Sequence, residues 1–145
     1  MGQDGNDRLR GGDGNDRLLG GAGNDDLRGD EDDDEIEGGT GNDYILGGDG
    51  DDDVLGNEGD DVIRGGAGED TLNGHDGDDR IHGDEDDDLI YGNSGNDTLN
   101  GEAGRDTIYG GVGEDEIYGH DGNDRLWGGA DDCLLYTSPS PRDRG

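Results

Sequence analysis

The stretch Gly38-Gly39-Thr40-Gly41-Asn42-Asp43-Tyr44-Ile45-Leu46 decides how this chain is read. It is nine residues long, and the same pattern runs on from it in both directions without a gap. From Gly2 to Trp127 the sequence divides into 14 consecutive nonapeptides with no insertion or deletion. The first position is Gly in all 14, the sixth is Asp in all 14, and the eighth is Leu, Ile or Val in all 14. The fourth is Gly in 12, the exceptions being Asp32 and Asp86. The second is Gly in only six and polar elsewhere, as at Asn57, His75 and His120. A fixed short period of this kind marks a solenoid, in which each repeat buries its apolar face only against its neighbours.

Each position has a physical role. Gly at the first and fourth positions suits a tight turn with positive φ and lets backbone carbonyls come close to an ion. Asp at the sixth position offers two hard oxygens on a short stem. The last three residues read as a short strand, whose middle side chain faces opposite to its two neighbours. The eighth position therefore points inward and the seventh and ninth point outward. Two nonapeptides make one coil, about 18 residues in the order turn, strand, turn, strand. Coils stacked by parallel pairing at about 4.8 Å would give, for seven coils, a rod of about 34 Å. The expected fold is all-β: a parallel β-roll, a right-handed β-helix-like solenoid with two parallel sheets of short strands and about seven coils.

Composition agrees with a chain that needs a ligand to fold. Among 145 residues there are 35 Gly, 42 Asp and Glu, no Phe and only 23% hydrophobic residues, with a formal net charge of −32. Low hydrophobicity with high net charge leaves too little apolar area to offset chain entropy. The charge repels phosphates, so nucleic acid is not the expected partner; a cation is. No apolar run is long enough to span a membrane. No basic-plus-apolar leader opens the chain. Cys133 is the only cysteine, which excludes an intrachain disulfide.

The repeats of residues 2–127 resemble the RTX (hemolysin-type) calcium-binding nonapeptide, G-G-x-G-x-D-x-U-x with U a large aliphatic. The resemblance implies that calcium sits between turns stacked on the same edge of the roll. Its ligands would be turn carbonyls and the sixth-position Asp. Carried onto this sequence, the side-chain ligands are Asp7, Asp16, Asp25, Asp34, Asp43, Asp52, Asp61, Asp70, Asp79, Asp88, Asp97, Asp106, Asp115 and Asp124. The backbone ligands are turn carbonyls such as those of Gly12, Gly14, Gly21, Gly23, Gly39, Gly41, Gly48, Gly50, Gly66 and Gly68. The turns of Gly2–Asp7 and Gly20–Asp25 would share one ion, those of Gly11–Asp16 and Gly29–Asp34 another. Asp61 could give one oxygen to the ion above and one to the ion below. Seven turns per edge leave six gaps, so about 12 calcium ions are expected, all held by oxygen.

Other motifs fail. The acidic runs Asp30–Asp34 and Asp49–Asp53 suggest an EF-hand, but that loop needs Gly at its sixth residue, where Glu35 and Val54 stand. No Gly-rich turn carries the Lys of a phosphate loop, since the chain has no Lys. His75, His82 and His120 make no His-Glu-x-x-His zinc motif. His75 and His120 read as turn residues at the second position. Acids at the fifth position, such as Asp33, Asp51 and Asp87, read as a solvated acidic edge, or else as extra attraction for calcium. Counting two repeats at a time places Tyr91, Tyr109 and Trp127 in one outward ladder on one sheet, and Arg10, Arg28 and Arg64 on the other. The aromatic ladder reads as cross-strand stacking, or else as a docking face for a capping segment.

The fifteenth unit opens in pattern over residues 128–132. Cys133 then takes the place of Asp, and the pattern is lost after Leu135. The run from Cys133 to Asp143 resembles one reading frame of a transposase-type sequencing adapter. That implies a library-derived segment fused to a truncated gene. Residues 133–145 are therefore set apart from the 2–132 roll as a non-repeat tail, expected to be disordered.

The function implied is calcium binding by repeats that fold when calcium binds, in a module of a secreted bacterial protein. In the resembled family the chain leaves the cytosol unfolded through a carboxyl-terminal signal and folds outside, where calcium is abundant. This segment is not expected to be an enzyme. The alternatives are the carboxyl-terminal module of an RTX metalloprotease or lipase, or the spacer of an adhesin or surface-layer protein. A flanking effector domain and a capping segment of the same polypeptide are then the implied partners besides calcium.

Overall fold

The computed structural model describes residues 1–130 and 133–136. It is a stack of coils in which odd and even strands form separate parallel sheets. The first sheet runs β1 (Arg8–Asp13), β3 (Asp26–Glu31), β5 (Tyr44–Asp49), β7 (Val62–Ala67), β9 (Arg80–Glu85), β11 (Thr98–Gly104), β13 (Glu116–Tyr118) and β16 (Leu134–Tyr136). The short β14 (Asp121–Gly122) pairs beside β11. The second sheet contains β2 (Arg17–Ala22), β4 (Glu35–Thr40), β6 (Asp53–Glu58), β8 (Thr71–Asp76), β10 (Leu89–Ser94), β12 (Thr107–Val112) and β15 (Arg125–Ala130). Register is uniform at two nonapeptides per coil: Ile45 lies opposite Ile63, and Ile90 opposite Ile108. This is the all-β parallel solenoid that the period predicts.

The strands are longer than the predicted triplet. Most have six residues, running from the seventh position of one repeat to the third position of the next. Pairing skips the first-position Gly: Leu46 faces Arg64 and Gly48 faces Gly66, with Gly47 left out between them. The ladder thus bends at that Gly and resumes beyond it. The opening of the turn stacks on its copy in the next coil as faithfully as the strand does.

One aliphatic per repeat fills the interior. Twelve eighth-position side chains, from Leu18 to Ile117, are 0–4% exposed, and Leu9 and Leu126 pack against them from the terminal coils. The alternation is strict in β5, where Ile45 is buried between the outward Tyr44 and Leu46. Each buried aliphatic contributes about 2 kcal/mol. No helix among the described residues is long and apolar enough to cross a membrane.

Backbone pairing continues past residue 132. Cys133 sits at the sixth position against Gly128. Leu134 N–H donates to Asp115 O at 2.8 Å, the bond Arg125 N–H makes to Asp106 O one edge away. Leu134–Tyr136 then pair in register with Glu116–Tyr118. Parallel pairing uses backbone groups alone, so the ladder continues beyond the point where the side-chain pattern breaks. Residues 131–132 and 137–145 lie outside the described residues, and with them the rest of the expected tail.

The outward ladders lie where the two-repeat period puts them. Tyr91 and Tyr109 stack at 5.1 Å and Tyr109 and Trp127 at 4.7 Å on the second sheet. Arg10, Arg28 and Arg64 belong to β1, β3 and β7 of the first sheet.

Candidate metal centre

Turn geometry assigns the glycines differently from the sequence reading. Positive φ occurs at the second and fourth positions, not at the first and fourth. Gly39 and Gly41 have φ of 120° and 113°, and all ten glycines expected to offer carbonyls lie in this region. Every non-Gly residue with positive φ also occupies one of these places. Asp30, Asn57, His75, Asp84, Asn93, Glu102 and His120 are at the second, and Asp32 and Asp86 at the fourth. The first position is invariant for another reason. A Cβ on Gly11 would meet the Asp16 Oδ2 at 2.7 Å and the Gly29 carbonyl oxygen at 2.8 Å, and the same two kinds of neighbour crowd Gly38, Gly56 and Gly92. The first Gly is a recess that admits the carboxylate of its own repeat.

Those carboxylates are buried. From Asp25 to Asp115 every sixth-position Asp is 0–4% exposed, while Asp7, Asp16 and Asp124 in the terminal coils are half-buried. One oxygen of each buried group is engaged: Oδ1 of Asp61 accepts the Asp43 N–H at 2.8 Å, and Oδ1 of Asp79 accepts the Asp61 N–H at 2.9 Å. The other is not. Oδ2 of Asp25, Asp34, Asp43, Asp52, Asp61, Asp70, Asp79, Asp88, Asp97, Asp106 and Asp115 is buried without a hydrogen-bond partner. A bridge from Asp61 to ions on both sides would therefore have to use an oxygen already holding a backbone N–H.

An unpartnered carboxylate oxygen in the interior favours a proton or a cation. Burial pushes Asp52, Asp97 and Asp106 up to about 6, Asp61, Asp70 and Asp79 up to about 7, and Asp88 up to about 8. The backbone hydrogen bond to each opposes this rise, and neighbouring carboxylates reinforce it.

The donors present fit a hard cation. Fourth-position carbonyls face the next coil: those of Gly23 and Gly50 point at the backbone of Gly41 and Gly68. Among the described residues, none of the backbone hydrogen bonds of the turns uses a fourth-position carbonyl as acceptor. No group of three His, Cys, Asp or Glu side chains is gathered around one point among these residues. An ion in the turns would thus depend on backbone oxygens with one Asp from each turn, a ligand type suited to calcium.

The fifth position is more than a solvated edge. Asn24 Oδ1 accepts the Asn42 N–H at 3.1 Å, Asn42 Oδ1 accepts the Asp60 N–H at 3.2 Å, and Asp60 Oδ1 accepts the Asp78 N–H at 3.0 Å. Asp33, Asp51 and Asp87 do the same for Asp51, Glu69 and Arg105 on the other edge. The signal available in sequence was Asn or Asp at 11 of the 14 fifth positions, since either offers the same acceptor oxygen.

A second missed feature links the ninth position to the second position of the next coil. Arg64 donates to both carboxylate oxygens of Asp84 at 2.6 and 3.0 Å, and Asn93 Nδ2 donates to Asn73 Oδ1 at 2.6 Å. Arg10 and Asp30 pair in the same way.

Comparison with known proteins agrees with this geometry. No curated protein matches the chain over its sequence. The family model for the RTX calcium-binding nonapeptide repeat, which spans four copies of the nonapeptide, matches residues 1–36, 28–63, 55–90, 73–108, 82–117 and 100–132. With uniform stacking at two repeats per coil and a column of buried Asp on each edge, the chain belongs to the RTX calcium-binding nonapeptide repeat family.

Proposed function

We propose that this segment is a calcium-gated folding module of a secreted bacterial protein, unfolded where calcium is scarce and rod-like where it is abundant. The observation that carries this reading is the set of 11 buried sixth-position carboxylates, each with Oδ2 unpartnered. Stacked in ionised form, they oppose the fold that stacks them. Bound calcium supplies the positive charge that offsets their repulsion and desolvation. The chain's own part is to shape the place: positive-φ residues at the second and fourth positions turn carbonyls toward the next coil, and the first-position Gly makes room for the carboxylate. Six gaps per edge give about 12 ions of oxygen-only coordination. The role of these residues is binding, and no reaction is assigned to them. Secretion accords with the same device, because a chain of this charge stays extended without its ion.

The test is circular dichroism at neutral pH with added calcium and then excess chelator. Coil in chelator, β-structure in millimolar calcium, and reversal on re-chelation are expected. A β-structured rod that persists in excess chelator would falsify the reading.

A further inference from the structure

Two of the three histidines meet at one carboxylate on the outer face of the first sheet. His82 is the ninth-position residue in β9, and Glu102 lies in the next coil, at the second position in β11. His120 holds the second position one coil further on. His82 Nδ1 is 3.5 Å from Glu102 Oε1, and His120 Nε2 is 4.0 Å from the same oxygen. Asn100 Oδ1 stands 3.4 Å from His120 Nε2. The imidazoles are 27% and 42% exposed and Glu102 is 41% exposed, so all three can be reached from solvent.

We propose that His82, Glu102 and His120 form a site for a borderline transition-metal ion of the zinc class, separate from the calcium turns. With metal–nitrogen and metal–oxygen bonds of about 2.1 Å, neighbouring donors of a tetrahedral site lie about 3.4 Å apart. The two His–Glu separations exceed that edge by little; the third edge, His82 to His120, crosses two coils of about 4.8 Å each, and both partly exposed imidazoles must swing toward Glu102 to close it. No such triad is already drawn around one point among the described residues; the ion would complete the closure. Two imidazoles with one carboxylate suit zinc, copper or nickel, whereas the turns offer oxygen alone and suit calcium. One chain would then sort two classes of cation, hard ions at its edges and a borderline ion on its face. The ligands come from three successive coils, so the site exists only in the stacked roll. Zinc bound there would stabilise the folded state and lower the calcium needed for folding.

His75 supplies an internal control, because it holds the same second-position place on the other sheet. The experiment titrates Zn2+ into the calcium-saturated chain by calorimetry, with Co2+ absorption as a second readout of nitrogen coordination. One Zn2+ per chain is expected to bind in saturating calcium. His82→Asn and His120→Asn should each weaken it at least about tenfold, and His75→Asn should leave it unchanged. Asn already occurs at the ninth position at Asn73 and at the second at Asn57 and Asn93, so these variants keep the repeat. Glu102→Gln, similar in size, should also weaken Zn2+ and leave the calcium-induced β signal intact. Undiminished Zn2+ affinity in either His variant, or an equal loss in His75→Asn, overturns the proposal. The inference rests on the calcium-loaded roll being folded. Failure of that reading appears as a missing β signal before any Zn2+ is added.

Discussion

Asp87 and Asp88 are neighbours in the chain and identical in chemistry, and the roll places them in opposite surroundings. Asp87 stands at the outer rim of its turn. Its Oδ1 accepts the Arg105 N–H at 2.8 Å, and that bond together with the Arg105 guanidinium holds its carboxyl below the usual range. Asp88 is 2% exposed. Its Oδ1 accepts the Asp70 N–H at 3.0 Å, its Oδ2 has no partner, and burial pushes it up to about 8. The same contrast separates the fifth- and sixth-position rows along both edges. In the outer row Asn and Asp interchange, because only an acceptor oxygen is needed. In the inner row Asp is invariant, and a second oxygen of each buried carboxylate is left without a hydrogen-bond partner.

The largest test of this contrast is pH in the absence of calcium. Seven inner carboxyls, those of Asp52, Asp61, Asp70, Asp79, Asp88, Asp97 and Asp106, have folded-state values of about 6 to 8, above the ordinary 3.8. The folded state therefore binds more protons than the unfolded chain between about pH 4 and 8, and stability falls as pH rises through that window. In chelator, β-structure should grow as pH is lowered from 8 toward 4. The shift of Asp87 has the opposite sign and works against this only where its own carboxyl begins to protonate. Calcium affinity should fall as pH is lowered over the same window, because binding must displace protons. A metal-free chain equally unstructured at pH 8 and pH 4 would remove the inner row from its assigned role.

A smaller effect comes from single substitutions in calcium. Asp61→Asn should cost about 3–5 kcal/mol by removing one partner of a buried ionic contact. Asp60→Asn, one residue away, should stay within about 0.5 kcal/mol. Denaturant midpoints in saturating calcium measure both, and equal losses would erase the distinction between the rows. Smaller still is Gly56→Ala, which forces a methyl against the Asp61 carboxylate and should cost about 1–3 kcal/mol. Gly39→Asn should cost at least as much in the same measurement, since its Cβ would press on the backbone carbonyl of Gly21 at a φ of 120°, well beyond the 82° that Asn57 adopts.

The solenoid was legible because its period is unbroken: Ile45 faces Ile63 as a coil of two nonapeptides requires. The inner Asp row was legible for the same reason. What its turn does with each glycine was not. An invariant Gly at the first position is compatible with positive φ or with close approach, and only coordinates distinguish the two. The better sequence clue lay at the second position, where Asn57, Asp30 and His75 replace Gly. Asn, Asp and His are the residues enriched among non-Gly residues with positive φ. The diagonal pairs, such as Arg64 with Asp84, join a ninth position to a second position one coil on. They become visible only once the corner at the first-position Gly is known to bring those two positions to one face. The strand at Leu134–Tyr136 escaped detection because backbone pairing outlasts the side-chain pattern that announces it.

The two hydrogen-bond columns of each turn run in opposite senses along the rod. The inner Asp N–H groups look forward, as Asp43 does to Asp61, and the outer N–H groups that bond a fifth-position side chain look back, as Asp60 does to Asn42. Every interior coil thus both gives to and receives from each neighbour, and a lone coil can complete neither column. The rod should therefore behave as a one-dimensional chain of coupled units, with cooperativity set by nearest neighbours. A lesion at an end should only shorten the ordered block. The same lesion at mid-rod should cut it into two blocks that melt independently.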